Sequence, residues 1–204
     1  MIINNFDKIF CINLEKRKDR RSTCEKIFSE KEINVEFIEA VDGRVIKDCK
    51  GLNPGAAGCC LSHKKIYEMM SRNRSWKSVL ILEDDIEFHP NFKELFSKYY
   101  DYVPDDWKLL FFGGSHNEPP KPVNEYVQRL KKTFTTHCYA VKDTMVDALM
   151  ERFSEENIFN MQADVHLHKM QKQFPCYGFK HHIAWQREGY SDIEQGHRDY
   201  TFLK

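Results

Sequence analysis

The chain has 204 residues, 41% of them hydrophobic and 30% charged, which is length and apolar content enough for one substantial buried core. Its 31 basic and 31 acidic side chains cancel to a formal net charge of zero, so no global field draws it to nucleic acid. Seven cysteines, odd in number and without a C-x-x-C pair, argue against a disulfide framework and for a reducing compartment.

Taken from the amino terminus, Met1 to Asn5 is too short and polar for a signal peptide. No later run approaches membrane-spanning length, so a cytoplasmic protein is expected. Lys8 to Leu14 reads as a strand and Arg17 to Lys31 as a helix burying Ile27 and Phe28. The basic run from Lys16 to Arg21 joins the two and reads as a helix start rather than a targeting patch. Val35 to Glu39 alternates as a second strand, and Ala40-Val41-Asp42-Gly43 follows as a turn. After a polar loop, Pro54 opens a helix reaching Asn73, with Leu61, Ile66, Met69 and Met70 on its apolar face.

Val79 to Leu82 is a short apolar run, the signature of a buried central strand, and it leads into Glu83, Asp84 and Asp85 before Ile86 and Phe88 resume. Carboxylates are costly to bury unpaired, and ligands of open α/β sheets sit outside the strands' carboxyl ends. If the pleat persists, Glu83 and Asp85 share one side and Asp84 takes the other. Two carboxylates aimed together suit a hard divalent cation such as Mg²⁺ or Mn²⁺.

Downstream, His89-Pro90 begins a helix to Tyr100, Trp107 to Phe112 is a strand, and Ser115 to Val123 is a Pro-rich loop. Thr133 to Val141 reads as a strand, Lys142 to Phe153 and Phe159 to Lys172 as helices, and Phe179 to Trp185 as a last strand. The polar tail from Asp192 is expected to be mobile. Strands and helices alternate, so the class is α/β.

Several of these stretches, in this order, resemble family-25 glycosyltransferases, the group of bacterial lipooligosaccharide galactosyltransferases and collagen hydroxylysine galactosyltransferases. They are Ile12 to Arg20, Phe37 to Gly43, the glycine helix from Pro54 to Ser62-His63, and Leu82-Glu83-Asp84-Asp85 about twenty residues later. Looser counterparts follow at Leu109 to Gly114, Thr136 to Val141, Ala163-Asp164 and Gly189-Tyr190-Ser191-Asp192. Where the family often carries Glu after the first glycine of its helix, this chain has Ala56.

The resemblance implies a GT-A-type, Rossmann-like fold with a central mixed, mostly parallel sheet flanked by helices. It implies one domain over 1–204, with a nucleotide-sugar half to about 115, an acceptor and catalytic half over 116–190, and a tail over 191–204. The implied reaction is inverting transfer of a hexose, galactose favoured, from a UDP-sugar to a hydroxyl of a glycan, a lipooligosaccharide or a hydroxylysine acceptor. Asp85 is then the metal ligand, with His182 (or His181) as the second, and Mn²⁺ or Mg²⁺ as the ion. Asn13, Arg17, Arg20, Asp42, Gly43, His63, Glu83 and Asp84 fall on the donor side. Ser62 and His63 either pin their helix or, in the case of His63, approach the phosphates. Inversion needs one general base, which is Asp164, with Asp192 as runner-up. No nucleic-acid partner and no transmembrane segment are expected, while peripheral membrane contact stays open. Two competing readings share the clustered acids and histidines: a metal-dependent phosphohydrolase, and a catalytically inactive glycan-binding module on the same fold.

Overall fold

The computed structural model describes residues 5–204, so most of the stretch Met1 to Asn5, read above for a leader, lies outside the described residues. In chain order the elements are β1 (Lys8–Asn13), α1 (Lys18–Glu30), β2 (Glu36–Glu39), α2 (Pro54–Arg72), β3 (Ser78–Glu83), β4 (Ile86–Phe88), α3 (Phe92–Tyr100) and β5 (Leu109–Phe111). There follow β6 (Ser115–Glu118), β7 (Lys121–Pro122), β8 (Val127–Arg129), β9 (Lys132–Phe134), β10 (Cys138–Lys142) and α4 (Val146–Arg152). Last come α5 (Ala163–Met170), β11 (Cys176–Phe179), β12 (Ala184–Gln186), β13 (Gly189–Ser191) and β14 (Gly196–Arg198).

An eight-stranded mixed sheet in the order β2-β1-β3-β10-β5-β11-β8-β7 is the frame. β1 pairs in parallel with β2 and β3, and β5 with β11, whereas β10 runs against both β3 and β5. The pleat of β1 and β3 divides one apolar run between two cores. Ile9, Cys11, Leu80 and Leu82 face the layer holding Cys24 and Phe28 of α1 and Phe92 and Phe96 of α3. Phe10, Ile12, Val79 and Ile81 face Ile66, Tyr67 and Met70 of α2, together with Leu149 of α4 and Leu167 of α5. Burial on both sides is why these strands are continuously apolar instead of alternating.

The helix starts follow local chemistry. Asn53 caps α2 by accepting from the N–H groups of Gly55 (2.8 Å) and Ala56 (3.3 Å), with Pro54 in the first turn. The buried face of α2 differs from the expected one: Ile66 and Met70 are on it, but Tyr67 and Cys60 replace Leu61 and Met69, which are only partly covered.

Three expected elements are broken where the chain turns toward one end of the sheet, and two segments expected to lack structure are ordered. The pleat after Leu82 does not persist: Glu83 ends β3, Asp84 and Asp85 form a turn, and β4 leaves to pair with β12. The strand expected over Thr133 to Val141 splits at Thr135, whose φ of 80° is left-handed and strained for a β-branched residue. The strand expected over Phe179 to Trp185 divides into β11 and β12, because Ile183 leaves the ladder to bond Phe112 and His89. The tail, expected to be mobile, forms the β13–β14 hairpin and a short 3-10 turn that buries Leu203 to 1% exposure. The Pro-rich loop likewise contains the short strands β6 and β7.

Candidate active site

A cleft of about 770 Å³ opens at the carboxyl ends of β1, β2 and β3, and every wall of it is a chain terminus of some element. Lys16, Asp42 and Gly43 come from the links after β1 and β2, Glu83 to Asp85 from the turn after β3, and Cys59 and His63 from the first turns of α2. Because β10 runs in reverse, its entry residues Thr135 and Thr136 arrive at the same end. The start of α5 adds Asp164, β12 adds Gln186, and the hairpin and the turn after it add Tyr190, Asp192 and Tyr200.

Close approach of α2 rests on two glycines. A Cβ on Gly43 would lie 1.6 Å from the Pro54 carbonyl oxygen, and one on Gly58 would lie 2.4 Å from that of Val41. Ser62 completes the joint, accepting from the Val41 N–H (2.8 Å) and donating to the Gly58 carbonyl (2.6 Å). Of the two roles open for Ser62 and His63, Ser62 therefore pins the helix. His63, 1% exposed, faces Glu83.

The three acids have different surroundings. Asp84 is fully engaged: Asn13 donates to one oxygen (2.7 Å), Arg20 to the other (2.6 Å), and the Cys24 thiol to its carbonyl (3.1 Å). Glu83 loses solvation to burial, but hydrogen bonds from His63 Nε2 (3.2 Å) and the Thr136 hydroxyl outweigh that and hold it below the usual carboxylate range. Asp85 has only long contacts, from Arg20 and Gln186 at 3.5 Å each, all on Oδ2. Its Oδ1 is buried without a partner. Burial first, then the charge of Glu83, push Asp85 up to about 7. A buried carboxylate oxygen with no donor, beside a second carboxylate, fits an oxygen-ligated divalent cation.

Asp164 lines the same cleft, in the first turn of α5. Burial raises it above an ordinary aspartate, backbone N–H groups of Thr135 and Val165 counter that only in part, and its Oδ1 also lacks a partner. Asp192 is in the cleft too, but Arg17 and Lys16 (3.7 Å) hold it in an ion pair. Asp42 is similarly claimed by Arg44 and Lys16, and its hydrogen bonds from Arg44 depress it strongly.

Arg17 is spent on Asp19 and Asp192 and does not line the cleft, whereas Arg20 does, linking Asp84 and Asp85 to the Tyr190 carbonyl (2.6 Å). Asn13 stands behind Asp84, 4% exposed. His182 lies apart from the cleft lining: Nδ1 donates to the Leu203 carbonyl (2.8 Å) and the ring rests near His116. The imidazole that does reach Glu83 is His63, from α2. Thr136, Gln186, Tyr190 and Tyr200 border the cleft without having been assigned a role from the sequence.

The family model described as glycosyltransferase family 25 (LPS biosynthesis protein) matches residues 6–163. The chain is similar to "Putative glycosyltransferase R655" of Acanthamoeba polyphaga mimivirus, 34% identical over 143 residues, covering 64% of this chain and 44% of that one. It is also similar to "Procollagen galactosyltransferase 2" of Homo sapiens, 32% identical over 139 residues, covering 57% and 22%. The chain thus spans less than half the length of each of these relatives. Among solved structures, "A197 from STIV" superposes with a TM-score of 0.50 at 9% identity, over 93% of this chain and 92% of that one, a likeness of fold.

Proposed function

The chain belongs to glycosyltransferase family 25, and from that premise we propose that it moves a hexose, galactose favoured, from a UDP-sugar to an acceptor hydroxyl, with inversion and with a divalent metal. The observation that carries the reading is the presence in one cleft of an Asp85 oxygen that has no donor and a raised, half-satisfied Asp164.

Asp85 would hold Mn²⁺ or Mg²⁺, with Glu83 beside it facing the ion's waters or the donor ribose. The bound ion supplies neutralisation of the diphosphate as the glycosidic bond breaks. The chain's own groups do the rest. Asn13 and Arg20 fix Asp84 and with it the backbone of the acid turn. Asp42 and Gly43 shape the pocket for base and ribose at the neighbouring strand end. Asp164 takes the acceptor's proton on the face opposite the leaving group, and burial makes it a stronger base than a solvated aspartate. Asp192, already neutralised by Arg17, holds the hairpin over the cleft.

In this reading residues 1–115 provide most of the donor side and 116–190 the acceptor side. The acceptor is a glycan, a lipooligosaccharide or a hydroxylysine side chain. Among the described residues no helix is long and apolar enough to cross a membrane.

The test is a screen of UDP-sugars with Mn²⁺ and an array of glycosides and hydroxylysine peptides. UDP release that depends on the acceptor, and that stops with a chelator, is expected. Inorganic phosphate release instead would identify a phosphohydrolase, and glycan binding without turnover an inactive module.

A further inference from the structure

Midway along the first half of α2, three side chains of different chemistry converge. One ligand atom each from Cys59, His63 and Glu83 lies within 4.8 Å of the others. Cys59 and His63 are four residues apart on one helix face, and all three side chains border the cleft. We propose that they form a second cation site, separate from Asp85, that takes a thiophilic divalent ion of the zinc class, and that filling it inhibits transfer.

The geometry supports this at the level of single distances. His63 Nε2 and Glu83 Oε1 are 3.2 Å apart. A tetrahedral zinc with nitrogen and oxygen bonds of about 2.0–2.1 Å separates those ligand atoms by about 3.3 Å. That edge of the tetrahedron is already in place. The sulfur, now within 4.8 Å of both, must close to about 3.5 Å from each.

The second layer suits a ligating imidazole. His63 Nδ1 is 2.8 Å from the Tyr139 hydroxyl, which is 2.6 Å from that of Tyr67, all three rings being buried. Without metal, Nε2 carries the proton shared with Glu83. With metal, the proton moves to Nδ1 and is donated to Tyr139, leaving the Nε2 lone pair for the ion. The Cys59 thiol, kept protonated by burial, releases its proton to solvent as the sulfur–metal bond forms.

Donor type separates the two sites. Asp85 offers only oxygen and suits a hard ion, whereas sulfur, imidazole and one carboxylate select a softer one. Glu83 is the shared member. Drawn toward Cys59 and His63, it is lost to the Thr136 hydroxyl and to the donor side of the cleft. The inhibitory half of the inference rests on the transfer reading above, while the binding half does not.

Titration of the full chain, stripped of metal, with Co²⁺ tests the binding half. One equivalent should give a sulfur-to-cobalt charge-transfer band in the near ultraviolet, displaced by Zn²⁺. Cys59→Ser should lose the band and Cys60→Ser keep it, both variants being shown folded by circular dichroism. A Cys59→Ala variant repeats the comparison if the serine variant unfolds. In an Mn²⁺-supported transfer assay, Zn²⁺ should inhibit the native chain at tenfold lower concentration than Cys59→Ser, each measured against its own uninhibited rate. No thiolate band, or the same band in Cys59→Ser, overturns the site. Equal inhibition of both proteins overturns its inhibitory role. Absence of transfer under all conditions counts against the transfer reading alone, because the cobalt spectrum still decides the site.

Discussion

Asp84 and Asp85 are adjacent and chemically identical, yet one has every polar atom of its side chain engaged while the other keeps an oxygen with nothing to bind. The contrast assigns them different work, so they should respond differently to substitution. Asp85→Ala should abolish Mn²⁺-dependent UDP binding in calorimetry, and unchanged affinity would remove the metal assignment. Asp164→Asn keeps the shape but not the basicity. It should leave donor affinity intact and lower transfer by about 10²–10⁴, the usual contribution of a general base. A nearly native rate would transfer the role to Asp192. The carboxylates could be read from sequence because burying them is expensive and so demands a reason. Thr136 and Gln186 could not, since a hydroxyl or an amide near a strand end carries no such demand. His182 carries no such demand either: an imidazole is at home against a backbone carbonyl, and that is where it sits.

At the level of elements, the joint between α2 and the 41–43 link sets the width of the cleft. Gly43→Ala inserts a methyl carbon 1.6 Å from a backbone oxygen, so the helix start must move. About 1–3 kcal/mol of destabilisation is expected, read as a fall in urea midpoint, together with weaker UDP binding. Neutralising the hairpin's anchor is gentler. Asp192→Asn loses a partly exposed ion pair, worth about 1 kcal/mol. It should speed limited proteolysis near Glu194 several-fold while slowing transfer only modestly; complete loss of transfer would make Asp192 more than an anchor. Strands and helices were legible wherever an apolar run persisted, as in β1, β3 and α2. They were illegible where the chain leaves the sheet for the cleft. At Thr135 and after Leu82, tertiary contacts override local preference. The hairpin was missed because its order comes from Arg17, Arg20 and the burial of Leu203, none of them local to the segment.

For the whole molecule, two buried histidines work against stability in mild acid. His137 and His166 are fully buried, each donates through Nε2 to a carbonyl, and each keeps an unpartnered Nδ1. Burial lowers both to about 4, from an ordinary 6.5. A folded value below the unfolded one means that the unfolded chain takes up protons first. The stabilisation is therefore complete above about pH 6.5 and is lost as pH falls toward 4, at about 1 kcal/mol per pH unit for each ring. Asp85, pushed up to about 7, acts in the opposite sense over the same window, so the test is a difference between proteins. Between pH 7.5 and 5 the urea midpoint of His166→Gln should fall less, or rise more, than that of the native chain; equal pH responses would contradict the burial argument. The fold class was legible because alternation of strand and helix is a global pattern, but the reversal of β10 was not, since direction leaves no mark on composition. That reversal carries a rule of parity. Tyr139 and Val141 point to one core, Cys138 and Ala140 to the other, while Thr136, three residues before Tyr139, must still meet Glu83. Adding or deleting one residue between them would exchange the two faces of the strand, whereas an even change could be absorbed. The spacing of that short link is thus inherited as a unit, and length variants of this protein should differ there by two residues or not at all.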